Sequence, residues 1–151
     1  MDALRLTGTW RITMRAAASG RLLSDRTYRN VICVNGKNYL AAWLNIETPA
    51  QTLTNIYGAV GTNVTAPASG DTQLGTELAR VVLGSNGRMF NVVTMDFFYN
   101  TSQGNGTWTE AGLFLGATAT VNNGSLLSHV AVSETKTNLI TATLEFSLQV
   151  G

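Results

Sequence analysis

Leu6-Thr7-Gly8-Thr9-Trp10-Arg11-Ile12-Thr13-Met14-Arg15-Ala16 alternates between apolar or small residues and polar ones without a break. Successive side chains of a strand point to opposite faces, so this stretch is a β-strand with one face in a core and one in water. Leu4 and Arg5 extend the same two rows. The other end of the chain repeats the pattern, with Ile140, Ala142, Leu144, Phe146, Leu148 and Val150 facing one way and Thr141, Thr143, Glu145, Ser147 and Gln149 the other. Two long one-sided strands at opposite ends of a chain predict sheets that enclose a common core.

Moving inward, Ala18-Ser19-Gly20 supplies a turn and residues 21–25 return as a short strand. Residues 28–34 form a β-branched segment that runs into Asn35-Gly36. The period then changes: Tyr39, Leu40, Trp43 and Leu44 recur at helical spacing, which predicts a helix over residues 37–46 with Pro49 as its stop. Residues 54–60 read as a strand and 61–71 as a long polar loop. Asp71 and Thr72 are suited to cap a helical turn through Glu77. A strand over 78–83 and a hairpin turn at Ser85-Asn86-Gly87 follow, leading into residues 89–99, which are apolar on both faces apart from Asp96. Such a strand is central or covered by a partner. Loops at 100–106 and 116–124 separate strands at 107–115 and 125–132. The whole predicts an all-β, mainly antiparallel, β-sandwich or jelly-roll-like fold, with about eight strands and one short helix near residues 37-46, in a single domain covering 1–151.

Composition narrows the function. Of 151 residues, 13% are charged and 44% apolar, so the chain has enough to bury and should fold as one core. A net charge of +1 argues against binding nucleic acid or an anionic membrane through many neutralised phosphates. Basic residues do outnumber acidic ones in residues 1–50, and the balance reverses afterwards. Cys33 is the only cysteine, which excludes a disulfide or a cysteine-based zinc site within one chain. The start of the sequence lacks a secretory pattern, so cytoplasmic synthesis is expected, and the Asn-x-Ser/Thr triplets at Asn63, Asn100, Asn105 and Asn123 read as turns.

Catalytic chemistry finds little material. His129 is the sole imidazole, and in the apolar stretch 126–132 it is expected to face solvent or make a core hydrogen bond. No catalytic residue, metal ligand or cofactor is expected. Asp96 and Glu110 stand in apolar strand context. A buried carboxylate needs a partner, here Arg80, Arg88 or backbone N–H groups at a loop. Trp10 and Trp43 fall on apolar faces, whereas Trp108, between Thr107 and Thr109 and beside a loop, is the aromatic expected to be exposed. Arg5, Arg11 and Arg15 share the polar row of the first strand, a basic ridge suited to an acidic partner surface.

Several segments resemble, in order, small structural proteins of tailed bacteriophages: capsid decoration proteins and collar or tail-fibre modules. They are the opening Leu6-Thr7-Gly8 strand, Arg29-Asn30-Val31-Ile32 leading to Asn35-Gly36-Lys37-Asn38, and Ile56-Tyr57-Gly58-Ala59-Val60-Gly61-Thr62. The series continues with the loop holding Ala66-Pro67-Ala68, with Asp71-Thr72-Gln73-Leu74-Gly75-Thr76-Glu77-Leu78-Ala79-Arg80, and with Asn105-Gly106-Thr107-Trp108-Thr109-Glu110-Ala111-Gly112-Leu113-Phe114. The resemblance implies a non-enzymatic β domain present in multiple copies on a virion, as a homo-oligomer such as a trimer, against the major capsid protein or tail and collar proteins. It carries over no catalytic residue. A head-bound decoration protein is the first expectation from so short a chain, a tail, collar or fibre-attachment component the second. A module for host surface glycans using Trp108 is the third.

Overall fold

The computed structural model describes residues 5–47 and 55–151. Its elements are β1 (Leu6–Ala16), β2 (Leu22–Arg29), β3 (Val31–Ile32), α1 (Val34–Leu44), β4 (Tyr57–Gly61), β5 (Glu77–Val82), β6 (Ser85–Met89), β7 (Val92–Tyr99), β8 (Gly106–Leu115), β9 (Ser125–Lys136) and β10 (Ile140–Val150). They make an antiparallel β-sandwich of two five-stranded sheets, sheet A in the order β2-β1-β10-β7-β6 and sheet B in the order β3-β9-β8-β4-β5. The two terminal strands pair with each other along their length, from Leu6 opposite Val150 to Ala16 opposite Ile140.

That register puts both apolar rows on one face. Trp10, Ile12 and Met14 join Ala142, Leu144, Phe146 and Leu148, and meet Val60, Trp108, Leu113, Leu115, Val130 and Val132 of sheet B. Each large side chain buried this way contributes about 1.5–3 kcal/mol. The polar ends of the core aromatics tie the layers together. Trp10 Nε1 donates to Ser128 Oγ at 2.8 Å and the Tyr99 hydroxyl donates to Gly58 O at 2.8 Å, each from sheet A to sheet B.

Several boundaries differ from the expectation. The helix begins at Val34, not residue 37, because the chain leaves β3 at Ile32 and Cys33 already stands at the N-cap. A Cβ on Gly36 would overlap the Cα of Leu127, so glycine lets the helix lie directly on β9. Pro49, Leu4 and Thr54, which entered the sequence reading, lie outside the described residues. Residues 71–76 are irregular rather than helical, and the N–H groups of Gly75 and Thr76 go to the carboxylate of Glu110. The Asn86-Gly87 turn is absent. Leu83 and Gly84 carry the chain across from Ile56, just before β4 of sheet B, to Asp96 in sheet A, so Ser85 enters already paired, and the hairpin turns at Phe90 (φ +52°) instead.

Candidate functional site

The outer face of sheet B carries the only histidine. His129 on β9 and Glu110 on β8 point away from the main core, and the 62–76 loop folds over them. His129 Nδ1 lies 2.7 Å from Asp71 Oδ2 and Nε2 lies 2.9 Å from Glu110 Oε2. Glu110 also accepts the backbone N–H groups of Thr76 (2.8 Å), Gly75 (3.0 Å) and Asn63 (3.2 Å), while Asp71 accepts that of Ala68 (2.8 Å). Burial opposes ionisation of Asp71, but the Ala68 N–H and the imidazole outweigh it and hold its carboxyl below the usual range. Beneath the loop, Leu74 fills a second small core with Phe114 and Leu126. A side chain in place of Gly112 would occupy Leu74's seat.

The arrangement holds a loop down. Both imidazole nitrogens are engaged by carboxylates, leaving neither for a nucleophile, and the three side chains form a row rather than converging on a point. Among the described residues, no group of three such side chains is placed to hold a metal ion.

Other buried charges do the same for the remaining loops. The guanidinium of Arg80 makes a bidentate pair with Glu77, at 2.5 and 2.8 Å, over the ring of Phe114. Its Nη1 donates to Thr118 O and Asn123 O, and Glu77 accepts the N–H of Asn122, which fastens the 116–124 loop. Lys136, almost wholly buried, donates to Asn105 Oδ1 at 2.8 Å in the 100–106 loop, and burial pushes its pKa down. Glu134 accepts from Tyr28 Oη at 2.7 Å, joining β2 to β9. Burial also raises the Cys33 thiol to about 11, so the thiolate is scarce at neutral pH.

The residues singled out from sequence are scattered. Trp108 is fully buried, against the expectation of exposure, packing against the tilted ring of Tyr99 and donating to Gly104 O at 2.7 Å. Trp43, expected in the core, is 44% exposed. The basic ridge divides: Arg11 is held bidentate by Asp25 at 2.6 and 2.8 Å, Arg15 donates to Gly20 O, and Arg5 stands at one end of the sandwich. Asp96 accepts from Ser85 Oγ rather than pairing with Arg80 or Arg88.

Arg5 also lines an open groove. α1 packs on β9 and β8 of sheet B, and between the helix and the end of sheet A a groove of about 1080 Å³ remains. Leu40, Trp43 and Leu44 of the helix form one wall, Val93, Met95 and Leu148 of sheet A the other. Arg5 and Lys37 are the charged residues lining it, and among the described residues neither makes an ion pair. Sequence reasoning missed this site because the helical spacing of Tyr39, Leu40, Trp43 and Leu44 does not tell which part of the apolar stripe meets the core. The four lie within one broad arc of the helix, and only Tyr39 of them is buried.

No protein-family model matches this chain, and no curated protein or solved structure is significantly similar to it.

Proposed function

We propose that this β-sandwich is a non-enzymatic structural protein of a bacteriophage virion, most simply a decoration or accessory protein bound to the head. One observation carries the non-enzymatic, partner-binding part: the buried ionisable side chains are committed to hydrogen bonds that hold loops or strands, while a large apolar groove stays open. Catalytic groups are typically poised toward a cavity, and binding surfaces leave apolar area unspent. The ordered resemblance to phage modules supports the virion setting. The neighbouring reading, a tail, collar or fibre-attachment component, shares the chemistry and differs in location. The glycan reading loses its proposed platform with the burial of Trp108.

Antibody raised against the purified chain and imaged on intact particles tests this. Label spread over heads supports decoration and label confined to the tail axis supports the neighbouring reading. Particles free of the chain would overturn both.

A further inference from the structure

We infer that the groove between α1 and the end of sheet A seats an extended segment of a partner polypeptide that brings alternating apolar side chains and a carboxylate. The inference deepens the assembly reading and rests on it for the partner's setting, but not for the chemistry. Three observations define the occupant. The walls are aliphatic and aromatic, with Trp43 and Leu44 exposed at 44% and 69%, so the apolar surface here is contiguous rather than scattered. The two cations that line it, Arg5 and Lys37, have no ion-pair partner among the described residues, and the described lining residues include no acid, so an anionic group complements them.

The third observation selects polypeptide over a free lipid. Among the described residues β6 ends sheet A, pairs only with β7, and places Asn86 in the groove wall. Its outer backbone edge is open to another strand, and a segment added there presents alternate side chains toward the groove. Asn86 and Arg88, opposite Met95 and Val93, put polar residues on the inward row of β6, so the apolar layer of sheet A stops at β7. A bound segment would continue it.

The test uses the full chain and a random library of twelve-residue peptides with free carboxyl ends. Selected peptides are expected to share apolar residues at alternate positions together with Asp, Glu or the terminal carboxylate, and to perturb Trp43 fluorescence. Trp43→Asp and Lys37→Glu each weaken a selected peptide at least tenfold. Thr143→Glu, on the outer face of sheet A, leaves it unchanged, and unaltered thermal midpoints show that all three variants fold. Failure to select such peptides, or binding indifferent to both groove variants, overturns the inference. Saturable binding of dodecanoate without peptide selection would make the groove a lipid site, and sedimentation as an oligomer broken by Trp43→Asp would give it to a second copy. Particles lacking the chain would defeat the virion reading while leaving the peptide result standing.

Discussion

The outer faces of the two sheets have opposite fates. On sheet B, the 62–76 loop covers His129, Glu110 and Gly112, with Leu74 completely buried beneath it. On sheet A no described element covers the outer face: Thr9, Thr13, Thr94, Thr143 and Ser147 run across neighbouring strands with the exposed Phe98 opposite Thr143, and Arg11 pairs with Asp25. The difference teaches where charge is structural. A covered face must satisfy every buried group, and here a carboxylate receiving three N–H groups does so; a bare face leaves polar side chains to water.

Breaking the covered face should have the largest effect. Glu110→Ala strips one histidine nitrogen and three backbone N–H groups of their acceptor, and a loss of about 3–5 kcal/mol is expected in urea unfolding. Leu74→Ala, which empties the small core beneath the loop, should cost about 2–5 kcal/mol by the same measurement. Both should release the 62–76 loop to hydrogen exchange before the sandwich opens.

Acid sharpens the comparison. The Asp71 carboxyl sits lower folded than unfolded, so its stabilisation is complete above the ordinary carboxylate value and is lost as pH falls through the lower folded value. Loop protection followed by hydrogen exchange should decline over that acidic window, and Asp71→Asn should flatten the decline. Lys136 carries the same sign in an alkaline window, for a different reason: burial disfavours its charged form. Its folded pKa is depressed, so the unfolded chain binds more protons between the two values and stability rises with pH across that interval. The difference between wild type and Lys136→Met, followed by urea unfolding on the alkaline side, should therefore shift in favour of the wild type as pH rises. The smallest effect belongs to the bare face: Thr143→Val and Phe98→Thr should change stability by less than about 0.5 kcal/mol.

Much of the frame was legible. β1 and β10 declare themselves because one face is buried and the other wet, and period two survives in the letters. Glu110 was legible as far as its need for a partner, and backbone N–H groups at a loop were among the partners expected. Its contact with His129, and that of His129 with Asp71, were not: they depend on loop folding across strands far apart in sequence. β6 was hidden because Ser85-Asn86-Gly87 has turn chemistry that pairing with β7 overrides. Trp108 was misread for a simpler reason. Threonines on both sides of a strand residue share the opposite face, so they place the tryptophan inside. For the groove, the letters show an apolar helix but cannot show that sheet A stops short of it.

The central claim is that the covered face is architecture and the groove at α1 is the working surface. Hydrogen exchange of the chain free and bound to a peptide selected on it tests it most directly. Binding should add protection at α1 and β6 and leave residues 62–76 unchanged. Added protection confined to 62–76, with α1 and β6 unaltered, would contradict the account.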